Sequence, residues 1–343
     1  MSLRSQAAPA AKTALLRLGG YAACRTLFPS RKIAILRYHA VCDPWGNPYA
    51  HPGICVSPAA FESHVRYLAG HYAVLPLPEI VDRVRGGRPL PANTVAITFD
   101  DGYADNLAAA RTLNRHGLSA TFYITAGCLA GGQPFWPAEI RTLLRAVPGP
   151  VLTLSTGGTP VRIPLGTPQE RTTAVRTVTK LLKGNPIPVR EALREQLREA
   201  AGPVQEPEYM LRWDELAEMH ALGMTIGSHT LTHPNLPNAG VEAARQELTE
   251  SKARLERELG APVTMFSYPN GGADRYMTPA IAQVVRDTGY AAATTSRNAF
   301  ATPASDLYAL ERVQVQERLE DLIFALEIER FLLKPVARPG EAE

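Results

Sequence analysis

Short apolar runs suited to buried strands alternate with helix-like segments from Ile33 almost to the end of the chain, and no other feature constrains the fold as much. Ile33 to Val41 reads as a strand. Ser57 and Pro58 then supply an N-cap and an N1 proline for a helix whose apolar positions Phe61, Val65 and Leu68 lie four and three apart. Val95 to Phe99 and Ser119 to Thr125 read as strands flanking a helix from Asp105 to His116 that Gly117 closes. The rhythm returns with Met224 to Gly227, a charged helix from Val241 to Leu259 ended by Gly260, Val263 to Tyr268, a helix ended by Gly289, and Tyr290 to Thr295. Such an order calls for a parallel sheet or barrel. Between Ala126 and Arg212 the rhythm breaks. That segment opens on Gly131-Gly132-Gln133-Pro134, has a Gly/Pro/Thr-rich middle from Leu152 to Pro168 and ends in a polar helix over Val189 to Ala201. It reads as an insertion into an α/β frame. Because barrel enzymes vary mainly in the loops at the C-terminal ends of their strands, the expectation for it is a substrate-shaping role.

The 343 residues fit one barrel of ordinary size with that insertion. The expected organisation is a basic N-terminal segment over residues 1–30, a barrel over 31–335 interrupted by the insertion at 126–212, and a flexible tail at 336–343. Lys and Arg number 36 against 33 Asp and Glu, an excess too small to mark a nucleic-acid binder. Seven of the basic residues fall in the first 42 positions, which hold no acid. Arg17 and the Gly19-Gly20 break do not suit a secretory signal. The segment therefore reads as a helix packed on the first strand, with contact to a membrane surface and an organellar transit peptide as the alternatives. The expected location is the cytoplasm or the periphery of the inner membrane face. Cys24, Cys42, Cys55 and Cys128 form no CxxC pair, and only Cys42 and Cys55 are spaced to bridge a loop in an oxidising compartment. Oligomeric state is not readable.

Two strand ends carry the chemistry. Thr98-Phe99-Asp100-Asp101-Gly102-Tyr103 closes a buried strand, and adjacent carboxylates on extended chain point to opposite sides, so one can bind a metal while the other faces a water on it. Alone, such a stretch is an ordinary capped turn. Ser228-His229-Thr230-Leu231-Thr232-His233-Pro234 follows another apolar strand, and imidazoles four apart can meet one metal from a helical turn. Together the two ends supply the two imidazoles and one carboxylate of a catalytic zinc with an open position. A third strand end, Phe266-Ser267-Tyr268-Pro269-Asn270-Gly271-Gly272, places glycines where backbone passes close to something.

These three segments resemble the signature stretches of the NodB-homology polysaccharide deacetylases, carbohydrate esterase family 4: TFDDG, H[ST]xxH and an aromatic-Pro-Gly turn. The resemblance runs from about Ile35 to Val315 and is poor over the insertion. It also takes in Arg37-Tyr38-His39, Trp213-Asp214-Glu215-Leu216 and Gly289-Tyr290. It implies a distorted (β/α) barrel of the polysaccharide deacetylase type, here with a helical insertion. It also implies metal-dependent hydrolysis of N-acetyl groups on an amino-sugar-containing poly- or oligosaccharide. Asp101, His229 and His233 correspond to the metal ligands, with zinc favoured. Asp100 corresponds to the general base, and the backbone N–H of Asn270 to an oxyanion donor. Two departures stand out. Ser267 takes the place of an arginine that orients the base, and Arg312 lies near where a histidine acid is usual. The variant branch that opens with a Tyr-His strand end fits better. A guanidinium is a poor proton donor at neutral pH, so His39 is the candidate acid, and Arg312 is expected to hold Asp100. The competing readings are a hydrolase of this fold acting on an O-acetyl ester, formamide or cyclic amide, and a metal-containing carbohydrate-binding barrel without turnover.

Overall fold

A computed structural model describes residues 9–205, 207–271 and 276–332. The expected tail at 336–343, the first eight residues of the basic segment, and Gly272 of the third strand end lie outside the described residues. Two helices, α1 (Pro9–Arg17) and α2 (Gly20–Leu27), precede β1 (Ala34–Tyr38), α3 (Pro58–His71), β2 (Ala73–Val74) and α4 (Leu77–Arg85). Then come β3 (Thr94–Phe99), α5 (Asn106–Arg115) and β4 (Thr121–Ile124). The insertion contributes α6 (Trp136–Ala146), β5 (Val151–Thr156), β6 (Thr159–Pro164), α7 (Pro168–Lys183) and α8 (Ile187–Ala201). The frame resumes with α9 (Trp213–Ala221), β7 (Thr225–Ser228), α10 (Leu236–Ala239), α11 (Val241–Leu259), β8 (Met265–Ser267), α12 (Pro279–Asp287), β9 (Ala292–Asn298), β10 (Leu310–Gln314) and α13 (Leu319–Phe324).

Seven parallel strands in the order β1-β10-β9-β8-β7-β4-β3 close into a barrel through five residue pairs between β1 and β3, from Ala34 with Val95 to Tyr38 with Phe99. β2 adds beside β3. Every residue of β3 is buried, as a strand covered on both faces must be. Alternate residues face opposite ways: Leu36, Ile97, Phe122 and Phe266 pack under the outer helices, while Ile35, Ala96, Tyr123 and Met265 share a second cluster with Leu77 and Ile80 of α4. Gly227 lets β7 pass its neighbours, for a Cβ there would sit 2.6 Å from the Tyr123 ring. Because the strands are parallel, the residues that follow β1, β3, β7 and β8 emerge at one end of the barrel.

The insertion has its own core, including Trp136, Ile140, Leu154, Ile163, Val178 and Leu193. It is mainly helical, as expected, but its Gly/Pro/Thr-rich middle holds two strands. β5 and β6 form an antiparallel hairpin turned by Gly157 and Gly158 at φ 55° and 82°, the left-handed pair that a two-residue hairpin loop requires. The N-terminal helices also sit elsewhere than expected. β1 is hemmed in by β3 and β10, so Tyr21 of α2 buries itself against Ile323 and Phe324 of α13, and Lys12 pairs with Asp321 at 2.7 Å. No described helix is long and apolar enough to cross a membrane. All four cysteines are free thiols, so the Cys42–Cys55 bridge is not formed.

α3 begins as its sequence indicates, with Ser57 accepting from the Ala60 N–H. It anchors the end of β1 through fully buried His64, whose Nδ1 lies 3.2 Å from the Tyr38 hydroxyl. Burial pushes this imidazole down to about 4. The unfolded ring titrates near 6.5, so the neutral ring's contribution is complete above that pH and is lost as pH falls through 6.5 toward 4. Linkage puts the loss at about 3 kcal/mol. Urea unfolding between pH 8 and pH 4 should show that decline in the wild type and a shallower one in His64→Phe; parallel profiles would dismiss the assignment.

Candidate active site

β3 delivers both carboxylates, and a backbone reversal separates them. Asp100 still donates its N–H to Tyr38 O at 3.1 Å, whereas Asp101 takes φ 81° and Gly102 φ 90°. A non-glycine residue in that region is strained by roughly 1–3 kcal/mol and persists only where its surroundings hold it. Four of the five such residues among those described, Asp101, Thr230, His233 and Asn270, lie on the strand-end motifs.

Asp100, 3% exposed, is gripped by Arg312 of β10, whose Nη1 and Nη2 each donate to one carboxylate oxygen at 2.7 Å. The guanidinium is fully buried and spends its other N–H groups on Thr295 O, Thr98 Oγ1 and Ser267 Oγ. Burial by itself would raise the Asp100 pKa; the Arg312 charge and its forked hydrogen bonds reverse this and hold it well below the carboxylate range. Ser267 therefore leaves room for an arginine that arrives from a different strand.

Asp101 faces the histidines. Its Oδ1 lies 3.5 Å from Nε2 of both His229 and His233, and one ligand atom from each of the three residues falls within 4.8 Å of the others. The His229–His233 loop is not the helical turn that the spacing allowed. Thr230 and His233 adopt φ 69° and 57°, and His233 N donates to Thr230 Oγ1 at 3.0 Å. Buried Glu247 of α11 accepts from the Leu231 and Thr232 N–H groups, both at 2.8 Å, and Arg190 of α8 holds Thr232 from the other side. The Trp136 indole donates to His233 O at 3.0 Å, so the insertion helps shape the site.

The donors fit a divalent cation. His229 Nδ1 can only donate to Ser267 O, at 2.7 Å, which turns its Nε2 toward the Asp101 carboxylate, as a metal-ligating imidazole is oriented. Two imidazole nitrogens and a carboxylate converging in a buried space could hold a metal ion. Burial pushes His233 down to about 4 despite Asp101, keeping this ring neutral and able to ligate.

His39 follows β1 and reaches the same place, with Nε2 3.7 Å from Asp100 Oδ2. Burial lowers it to about 4, against the pull of Asp100 and Asp101. Asn270 stands at φ 72° and ties its amide to Pro234 O at 3.0 Å. Gly271 beside it is obligatory, since a Cβ would lie 1.9 Å from Ser296 Oγ. Sequence reasoning assigned no role to Tyr103, Trp136, Arg190 or Glu247. Tyr103 stands within the motif as quoted, but its burial next to Asp101, where first burial and then that carboxylate raise its pKa, follows from the left-handed turn between them.

The polysaccharide deacetylase family model matches residues 87–146 and 165–293. YxkH of Bacillus subtilis (strain 168), named for the same family, is 22% identical over 301 residues, covering 87% of this chain and 76% of that protein. Among solved structures, the Streptococcus pyogenes deacetylase PplD, in complex with acetate, aligns with a TM-score of 0.57 at 19% identity, over 90% of this chain and all of the other. IcaB from Ammonifex degensii aligns with the same TM-score at 18% identity, over 87% and 98%. The barrel is thus that of known deacetylases, and the chain belongs to the polysaccharide deacetylase family.

Proposed function

We propose that this enzyme hydrolyses N-acetyl groups on an amino-sugar-containing poly- or oligosaccharide, using a divalent cation held by Asp101, His229 and His233. What carries the reading is that a carboxylate fixed by a buried arginine, with a further imidazole 3.7 Å from it, lies beside a buried Asp–His–His cluster. Two nitrogens and one oxygen suit zinc better than magnesium, which prefers an all-oxygen shell. When bound, the ion supplies a Lewis acid for the acyl oxygen and acidifies water. Asp100, kept ionised by Arg312, accepts the attacking water's proton. His39 is neutral at rest, and its lowered pKa makes it a ready donor once that proton reaches it. It then protonates the departing amine. The Asn270 backbone N–H meets the negative charge that develops on the acyl oxygen.

Acetate and formate release should be measured on a panel of N-acetylated, O-acetylated and N-formylated sugars. Release from the N-acetylated members is expected; release only from esters or formamides, or glycan binding without turnover, would overturn the reading. Elemental analysis should find about one transition metal per chain, as a single three-ligand catalytic site implies, and little in His229→Ala. His39→Ala should keep the metal and lose kcat by roughly 10²- to 10⁴-fold with little change in KM. Wild-type kcat in that variant would remove His39 from the chemistry.

A further inference from the structure

The insertion and the barrel enclose a cleft that this chemistry does not use. α6 lines it with Arg141 and Arg145, one turn apart, and α7 with Arg171, Arg176 and Lys180. The barrel side presents Trp45, Tyr49 and His51. Two adjoining lobes, of about 380 and 600 Å³, share Arg141, Arg176 and His51. The inner lobe is lined by Lys183 and by Tyr103, whose ring packs edge-on against Phe135, which in turn packs edge-on against His233. The outer lobe ends on Trp45, 86% exposed.

None of Arg141, Arg145, Arg171, Arg176 and Lys180 forms an ion pair with a carboxylate among the described residues. The same insertion pairs its arginines elsewhere: Arg194 and Arg198 both reach Glu139 at 2.6 Å, and Arg190 reaches Glu191 at 2.8 Å. In the cleft, Arg171 and Arg145 have only main-chain carbonyls, and the buried Nε of Arg141 has no partner. Burial and then Arg145 lower the Arg141 pKa; burial, Arg141 and Arg176 lower His51. Like charges one helical turn apart oppose folding, and a concave wall concentrates their field. Forked guanidinium groups match oxyanions, and an exposed indole offers a flat apolar face to a sugar ring.

We propose that this cleft binds an oxyanion, phosphate or carboxylate, carried on the N-acetylated glycan, so that the substrate is an anionic saccharide lying from Trp45 to Tyr103. The identity of the rest of the ligand depends on the deacetylase reading above; the anion site does not.

Calorimetric titration of the full-length protein with inorganic pyrophosphate, both metal-loaded and metal-stripped to exclude chelation, tests the site directly. Binding should weaken with salt and fall at least tenfold in the Arg141→Gln/Arg176→Gln variant, whose Tm should not drop. The exposed Arg176→Glu change provides the same test with less risk to folding. In turnover, wild-type kcat/KM should be at least tenfold higher for N-acetylated saccharides bearing a phosphate or a uronic carboxylate than for a neutral N-acetylglucosamine tetramer. Whichever charged substrate is preferred identifies the oxyanion, and the variants should lose the preference through KM. Equal pyrophosphate affinity in folded wild type and variants, or no preference over the neutral tetramer, would overturn the proposal. Arginine-dependent pyrophosphate binding with no deacetylation of any substrate would uphold the anion site and sink the N-acetyl reading alone.

Discussion

Asp100→Asn is expected to retain its metal while kcat falls by roughly 10²- to 10⁴-fold, the contribution of a general base. Asp101→Asn should instead lose metal and activity together. The two residues are neighbours in sequence, yet the left-handed turn at Asp101 sends their carboxylates to different partners: Arg312 for Asp100, the two imidazoles for Asp101. An amide at position 100 can still accept one bond from the guanidinium, so the pocket keeps its shape, at a cost in stability from the unpaired Arg312 charge, while losing the carboxylate proposed as base. At position 101 an amide removes the only anionic member of the cluster, and second-site hydrogen bonds cannot replace it. Metal content and kcat, measured on the same preparations, separate the outcomes. Equal metal loss in both variants would mean that the roles are reversed.

Arg312→Met should destabilise the fold by about 3–5 kcal/mol, the usual consequence of stranding one member of a buried ion pair. Asp100 is 3% exposed and Arg312 fully buried, so water cannot take the place of the lost partner. Removing the arginine also leaves Thr295 O without its donor. Asp100→Asn/Arg312→Met should recover a large part of the loss, because a neutral amide in the same space carries no uncompensated charge. Urea unfolding of the two single variants and the double variant gives the coupling directly. An Arg312→Met cost under about 1 kcal/mol would show that the pair is not the keystone its geometry describes.

The strand and helix rhythm was legible because each element carries its own period and caps: Ser57-Pro58 opening α3, Gly260 at φ 64° closing α11. The insertion's hairpin was hidden by its content. Leu152 and Leu154 point inward while Val151 and Thr153 are exposed, a clear period of two, but the surrounding Thr, Gly and Pro read as loop. At the site, the candidate residues were visible because their types and order are rare, whereas the groups that hold them were not. Arg312 stands 212 positions from Asp100. Glu247 and Arg190 reach the histidine loop from helices whose charged residues look like any solvated face. The helical-turn expectation for His229 and His233 failed because β-branched Thr230 sits where such residues are seldom found, and no local signal announces it.

Ser267 and Arg312 looked like two separate irregularities in the sequence, but in space they are one exchange. Arg312 occupies the volume beside Asp100 and donates to Ser267 Oγ at 3.1 Å, so the guanidinium that the resemblance led one to expect from β8 is supplied here from β10. The two arrangements cannot be reached from one another by single steps of equal merit. Ser267→Arg alone would press two cations into a sealed space that has room and counter-charge for one; Arg312→His alone would leave the base without its clamp. This barrel thus sets one forked cation against one buried carboxylate while departing from the expected residue pattern at both addresses.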